Sequence, residues 1–266
     1  MKQLQRLPQL PEYHEIKWRE IQNDEYDRLI TRFPTFDRKT CPTCKGALEF
    51  KYKGEVWDCD CRTQIALTKH YLYANLGKAY HTLSFDDLRT DKQELGEAIH
   101  DYVDNWPSYQ HYGRGILFHG GLGTGKTLAI VLILKELVKT GVRCWFTSFN
   151  AAMNAYMYSD EKRQFFQELK TADCAAIDEI PRPVSEKQRD LYQEVLEWLT
   201  RYRVENALPT LMATNIHELD TEYPRIGSLI DMAFLEYEVT GPDARRTSSR
   251  EEIKQLIHNQ ETRPVK

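Results

Sequence analysis

A glycine-rich segment restricts the fold of this 266-residue chain more than any other feature. It runs from Gly120 to Thr127 and fits the pattern G-x-x-x-x-G-K-[ST]. A short apolar run, 115–119, precedes it, and a run rich in Leu, Ile and Val, 127–138, follows it. A glycine-rich loop that joins a strand to a helix in this way predicts a P-loop that follows a strand of an α/β sheet.

Such a loop predicts a site for a polyphosphate. Its glycines let successive backbone N–H groups point inward, and the following helix adds the positive end of its dipole. Lys126 would reach the β and γ phosphates, and the Thr127 hydroxyl would hold Mg²⁺. The alternative is a turn that only joins a strand to a helix. The residues expected to bind the nucleotide are Gly121, Leu122, Gly123, Thr124, Gly125, Lys126, Thr127 and Leu128, together with Asp178.

From about residue 92 onwards, the apolar pattern alternates between helical and extended periodicity. This alternation predicts an α/β domain with a mostly parallel, five-stranded sheet. The predicted strands are 115–119, 143–147, 174–178, 210–214 and 234–239. The predicted helices are 92–105, 127–138, 150–158, 161–170 and 186–204.

Two further strands end in polar residues. Asp178 and Glu179 follow the small apolar residues 174–177, and Asn215 follows 210–214. Ligands collect at the carboxyl ends of strands in open α/β sheets. Asp178 is therefore suited to binding the metal ion, and Glu179 is suited to act as the general base that activates water. Asn215 would hold that water or sense the γ-phosphate, or else cap the next helix.

Four of the six cysteines form two close pairs, C-x₂-C and C-x-C, separated by 14 residues. These four are Cys41, Cys44, Cys59 and Cys61. Two such pairs can present four thiolates to a structural Zn²⁺, with a hairpin between them, and they leave no open position for catalysis. Disulfides and an iron–sulfur cluster are the alternatives.

Taken in order, the motifs resemble those of AAA+ ATPases of the DnaC/DnaI helicase-loader group, which includes the IstB transposition ATPases. The resemblance covers about residues 75–246. It is carried by His119–Thr127, Ile177–Ile180, Arg201-Tyr202, Leu208-Pro209-Thr210, Ala213-Thr214-Asn215 and Gly241–Arg245.

The resemblance implies an AAA+ sheet with strand order 5-1-4-3-2, ATP as the nucleotide, and ATP-dependent homo-oligomers in which a neighbour completes the site. Lys126 and Thr127 then belong to Walker A, Asp178 and Glu179 to Walker B, and Asn215 is sensor I. Arg245 stands at the sensor II position, with Arg246 as the alternative register. Where the family often has an Asp-Arg pair for its trans-acting arginine finger, this chain has Asp231-Met232. Arg225 is the best substitute for that finger, with Arg201 behind it.

These patterns divide the chain into a helical arm (1–40), a zinc-binding module (41–70), a linker (71–91), an AAA+ ATPase domain (92–246) and a C-terminal tail (247–266). Lys and Arg number 36 against 40 Asp and Glu, a formal charge of −4, so any contact with a polyanion must be local. No apolar stretch approaches the roughly 20 residues that a membrane helix needs. The charged start does not fit a secretion signal, so we expect a cytoplasmic protein.

The leading function that follows is an ATP-driven loader that binds a hexameric replicative helicase through residues 1–70 and places it on single-stranded DNA. The candidate DNA contacts are Phe149, Asn150, Tyr156, Tyr158, Lys162 and Arg163, because aromatic rings and basic groups suit single strands. The alternatives are an IstB-like ATPase that directs a transposase to DNA and a non-hydrolysing, ATP-bound adaptor.

Overall fold

The computed structural model describes residues 49–52, 55–58, 60–88 and 92–243. Its first element is an antiparallel hairpin of β1 (Glu49–Tyr52) and β2 (Glu55–Asp58). This hairpin confirms the one predicted between the two cysteine pairs. Several predictions concern residues that the structure does not describe: those for 1–40, for Cys41, Cys44 and Cys59, and for everything after Asp243.

The main sheet is parallel and has five strands, β3 to β7, in the order β4-β5-β6-β3-β7. Numbered within this sheet alone, that order is 2-3-4-1-5, so the predicted AAA+ topology is confirmed. The strands are β3 (Gly115–His119), β4 (Cys144–Ser148), β5 (Cys174–Ile180), β6 (Thr210–Thr214) and β7 (Phe234–Glu238).

Helices cover both faces of the sheet, as parallel strands require. They are α1 (Asp60–Tyr73), α2 (Lys78–His81), α3 (Gln93–Asp104), α4 (Trp106–His111), α5 (Lys126–Lys139), α6 (Phe149–Met157), α7 (Ser159–Thr171), α8 (Glu186–Glu205), α9 (Leu219–Glu222) and α10 (Pro224–Ala233). Alternate residues of β3 face opposite sides: Phe118 joins the cluster that contains α5, whereas Leu117 joins the cluster that contains α8 and α10. No helix in the described ranges has the length and apolar character needed to cross a lipid bilayer.

Each strand and helix predicted from residue 92 onward lies within two residues of an observed element, but α1, α2, α4, α9 and α10 were not predicted. Proline explains two of these five omissions. Pro107 and Pro224 both interrupt the apolar pattern, yet each stands in the first turn of a helix, where its missing N–H costs nothing.

The segment before residue 92 packs into the core and covers a sheet edge. Tyr71, Leu76 and His81 are fully or almost fully buried there, although the sequence predicts a linker over 71–91. The Phe146 N–H donates to the Ala74 carbonyl (2.8 Å), and the Asn75 side chain donates to the Phe146 carbonyl (2.8 Å). These bonds satisfy the backbone of Phe146 on the outer edge of β4, which no other strand in the described ranges covers.

Two buried basic side chains hold the loops beneath the sheet. Arg203 of α8 has no exposed surface, and its guanidinium donates to four carbonyls and a hydroxyl: Leu169 (2.5 Å), Ala172 (2.8 Å), Asp173 (3.2 Å), Pro209 (2.7 Å) and Thr210 Oγ1 (2.9 Å). Lys135 of α5 donates to the carbonyls of Tyr80, His81 and Leu83. Arg203 thus fixes the segments that lead into β5 and β6, and Lys135 fixes α2 against α5.

Candidate functional site

The predicted P-loop lies between β3 and α5. Gly125 has φ +109° just before the helix begins, a conformation that favours glycine. The Lys126 ammonium is buried and donates to the carbonyls of Gly120 (2.9 Å) and Gly121 (2.5 Å). The Thr124 hydroxyl also donates to Gly121 (3.0 Å). These bonds fold the loop around the lysine and set its backbone in the tight curve of a phosphate cradle.

Asp178 meets the first turn of α5 at the end of β5. It is 4% exposed, its carboxyl lies close enough to the Thr127 hydroxyl to be stabilised by it, and Oδ1 accepts a hydrogen bond from the Glu179 N–H (2.8 Å). Burial raises the pKa of the Asp178 carboxyl, while the two donors and the nearby Lys126 oppose that rise. The structure therefore brings Lys126, Thr127 and Asp178 together, and the hydroxyl and the carboxylate are oxygen donors of the kind Mg²⁺ prefers.

Glu179 sits in an irregularity that the sequence did not predict. The pairing of β5 with β6 shifts register between Ile177 and Ile180, and Glu179 has φ +59°. A bulge of this kind turns two successive side chains to different environments. Asp178 is buried against α5 as a result, whereas the Glu179 side chain is exposed at the strand tip. A left-handed glutamate is strained by about 1 kcal/mol or more, a cost often found at functional sites.

Asn215 follows β6, the strand next to β5, and its side chain is exposed. The Thr214 hydroxyl donates to the Ile180 carbonyl (2.8 Å) and accepts the N–H of Ile216 (3.1 Å). These two bonds fix the turn that follows β6 against the end of β5. Asn215 therefore follows β6 at the same edge of the sheet at which Asp178 and Glu179 end β5.

Tyr80 is a site residue that the sequence analysis missed. Burial raises the pKa of its hydroxyl, and the negative charges of Asp178 and Glu179 raise it further, so this group lies in the field of both acids. Its ring packs edge-on against Phe146 (5.7 Å between centroids), and Lys135 anchors its backbone. Tyr80 precedes the P-loop by more than one helix–strand unit, and no local signal in the sequence points to it.

A cavity of about 560 Å³ adjoins the loop. It lies between the start of α3 and the end of β7 and is lined by Lys92, Gln93, Glu94, Leu95, Glu97, Tyr237, Glu238, Val239 and Thr240. The Val239 N–H donates to the His119 carbonyl (2.7 Å), and Leu95 contacts the position of Gly125. The cavity therefore lies next to the phosphate cradle and is large enough for a nucleoside.

The candidate arginines are in different places. Arg225 is exposed at the start of α10, on the sheet face opposite α5, and its backbone N–H donates to Gln193 Oε1 (3.1 Å). Arg201 is exposed on α8 and already pairs with Glu197 (2.5 Å) and Glu205 (3.7 Å). Arg245 and Arg246 lie outside the described residues.

The candidate DNA contacts are only partly at the surface. Phe149 is fully buried, with its ring against Tyr192 (5.0 Å), so the expectation that it stacks on a base is wrong. The Phe149 side chain fills part of the core beneath β4, which leaves no room for a base there. Tyr158 is 65% exposed, whereas Tyr156 is half-buried with Lys162 over its ring (3.8 Å).

The predicted zinc site involves mainly residues that the structure does not describe. Of its four cysteines only Cys61, within α1, has a described backbone. Among the residues that are described, no three His, Cys, Asp or Glu side chains group so as to hold a metal ion. The hairpin does pair Glu49 with Asp58, so the chain enters and leaves it at one end. Each cysteine pair flanks that end in sequence, an arrangement that suits a shared metal.

The parallel sheet carries the P-loop after β3, its first strand in chain order, and Asp178 at the end of β5, its third. This arrangement defines a P-loop nucleotide-binding domain. More narrowly, residues 116–234 match the model of the ATPase family associated with various cellular activities (AAA), and the strand order is that of the AAA+ fold. No curated protein matches the sequence.

Solved structures share this fold. The crystal structure of DnaI matches with 19% identity and a TM-score of 0.52, over 63% of this chain and 93% of that one. The DnaC helicase loader matches with 18% identity and a TM-score of 0.52, over 62% and 100%. A putative primosome component from Streptococcus pyogenes serotype M3 matches with 20% identity and a TM-score of 0.50, over 67% and 97%. The predicted resemblance to DnaC/DnaI-type AAA+ ATPases is thereby confirmed at the level of the fold.

Proposed function

We propose that this protein binds and hydrolyses ATP at the P-loop. The observation that carries the proposal is the contact between Thr127 and Asp178, because it brings the two predicted magnesium ligands together beside Lys126. The Thr127 hydroxyl and the Asp178 carboxylate would hold Mg²⁺, which would offset the negative charge of the phosphates. Glu179, exposed at the tip of β5, would take the proton of the attacking water, and Asn215 would orient that water. The cavity beside the loop would hold the nucleoside.

We test this step with two variants of the full chain. Lys126→Ala should lose nucleotide binding, because it removes the cation that faces the phosphates. Glu179→Gln should retain binding but lose turnover, because only the proton acceptor is changed. Binding of a fluorescent ATP analogue and release of phosphate measure the two properties separately. If wild type and Glu179→Gln turn over equally slowly, the site is a non-hydrolysing switch and the catalytic part of the proposal fails.

We further propose that the protein acts in DNA replication by loading a replicative helicase onto single-stranded DNA. The shared fold with the DnaC helicase loader, DnaI and a primosome component supports this proposal. The motif series that resembles this group, from Gly120–Thr127 to Gly241–Arg245, supports it independently of the fold.

Residues 1–70 would provide the contact with the helicase. In this proposal Cys41, Cys44, Cys59 and Cys61 hold a structural Zn²⁺ at the open end of the β1–β2 hairpin. The metal stabilises a module whose own core is too small to fold alone. Zinc content of the purified full chain, measured by atomic absorption, should be one ion per chain and should fall on Cys44→Ser.

ATP-dependent assembly of several copies would complete the site. Arg225 is the better trans-acting finger because it is exposed and carries no ion pair in the described part of the chain, whereas Arg201 is held by Glu197 and Glu205. Arg245 would contact the γ-phosphate of its own chain. Arg225→Ala should therefore lower turnover without lowering ATP affinity, and mixing it with Lys126→Ala subunits should restore part of the activity.

The loading step is tested with the full chain as bait in the native host, in the presence of ATP. Recovery of a ring helicase, followed by ATP-dependent transfer of that helicase to single-stranded DNA, is the expected result. Recovery of a transposase instead would favour the IstB-like alternative and overturn helicase loading. DNA binding itself is tested with Tyr158→Ala, which should weaken salt-dependent binding to single strands, whereas Phe149 is unsuitable because it is in the core.

A further inference from the structure

Asp243 packs directly on the P-loop. A Cβ atom built on Gly123 would lie 1.8 Å from Oδ1 and 2.5 Å from Cγ of Asp243, and 3.1 Å from its Cα. The carboxylate is thus in contact with the Gly123 backbone, at a position where φ is +67°. Only glycine fits between Asp243 and the loop, and any larger residue would push the carboxylate away.

This contact places a negative charge where a nucleotide brings more of the same sign. Gly123 belongs to the loop whose backbone N–H groups face the bound phosphates. An ATP molecule carries several negative charges on those phosphates. Like charges a few ångströms apart repel, and the repulsion is greater at a partly buried position than in bulk water. Asp243 is half-buried, so water screens its charge only in part.

The segment that carries Asp243 is anchored just after β7, and a glycine separates this anchor from Asp243. The Lys92 ammonium donates to the Thr240 carbonyl, which ties the chain to the start of α3. Gly241 follows with φ +124°, a conformation that favours glycine. Because glycine has a wide range of allowed backbone angles, a rotation at Gly241 would move Asp243 away from Gly123 while Thr240 stays in place.

We propose that Asp243 sets the nucleotide affinity of this site: its carboxylate opposes the triphosphate and has to turn away about Gly241 when ATP binds. This inference rests on the proposed nucleotide binding at the P-loop.

The test measures the affinity of the full chain for fluorescent ATP and ADP analogues in the presence of Mg²⁺. Asp243→Asn keeps the shape of the side chain and removes its charge, so it should bind the ATP analogue at least about five-fold more tightly than wild type. The gain should be larger for ATP than for ADP, and it should shrink at high salt. Asp243→Glu keeps the charge and should show no such gain.

Asp231→Asn is the matched control, because Asp231 is exposed on α10, on the other face of the sheet. Its affinity should equal that of wild type. If Asp243→Asn binds as wild type does, or more weakly, the inference is overturned. If wild type binds neither analogue, the proposed nucleotide site itself fails, and this result is distinct from the first.

Discussion

Replacing Arg203 by methionine should destabilise the domain strongly. The guanidinium uses all five of its N–H groups, and four of their acceptors are backbone carbonyls, of Leu169, Ala172, Asp173 and Pro209. Methionine fills most of the volume but donates nothing, so four carbonyls lose this donor. A buried acceptor without a partner costs about 1–3 kcal/mol.

Part of this cost is recovered, because the charge is itself expensive to bury. Burial lowers the pKa of Arg203 to about 10, so the protonated side chain is less favourable here than in water. With four carbonyl acceptors affected and the cost of the buried charge removed, we expect a net loss of about 3–5 kcal/mol. For a domain of this size the melting temperature should therefore fall by about 6–20 °C.

The assay is thermal unfolding of the full chain, followed by circular dichroism. Arg201→Met is the matched control: it lies on the same helix and pairs only with exposed or half-exposed glutamates, so the melting temperature should change by no more than about 2 °C. Arg203→Lys should also be destabilised, since an ammonium has three donors and no planar fork. Equal melting temperatures for Arg203→Met and Arg201→Met would refute the claim that the guanidinium holds these loops.

Three further variants test the site and its support. Asp178→Asn should raise the free energy of unfolding of the ligand-free chain at pH 7. A carboxyl whose pKa is raised in the folded state makes the protein less stable as pH rises through that pKa. Thermal unfolding at pH 5 and pH 8 should therefore show a gain over wild type that is larger at pH 8. Tyr80→Phe keeps the packing on Phe146 but removes the hydroxyl beside the acids, so kcat should fall by about three- to ten-fold while ATP affinity stays constant, and an unchanged kcat would contradict the assignment. Lys135→Met should cost about 2–3 kcal/mol in urea unfolding, because three carbonyls lose a donor, whereas Lys139→Met, a half-exposed control, should cost under about 0.5 kcal/mol.

The prediction of the fold succeeded where local pattern and burial agree. Strands such as 210–214 are continuous apolar runs, and helices such as α8 show clear periodicity, so both their type and their ends could be predicted. The helix α10 could not, because Pro224 looks like an interruption until its place in the first turn is known. Segment 71–91 contains Gly77 and the run Ser84-Phe85-Asp86-Asp87, which favoured a linker, and only the packed structure shows that Tyr71 and His81 enter the core.

The site divides in the same way. Lys126, Thr127 and Asp178 could be named from the sequence because strand ends in a parallel sheet meet at one edge. The bulge that buries Asp178 and exposes Glu179 depends on pairing with β6, and no local pattern encodes it. The DNA expectation for Phe149 failed because the same aromatic composition serves a core and a binding surface equally well.

The sequence by itself determined the P-loop and the acids after the buried strand, because each depends on short runs with strong backbone preferences; the AAA+ strand order was implied by the resemblance of the motifs. The tertiary structure alone decided that Tyr80 lies in the electrostatic field of the acids, that Arg203 ties α7 to β6, and that Asp243 lies on Gly123. These pairs are far apart along the chain, and only the closing of the sheet and its helices brings such groups into contact.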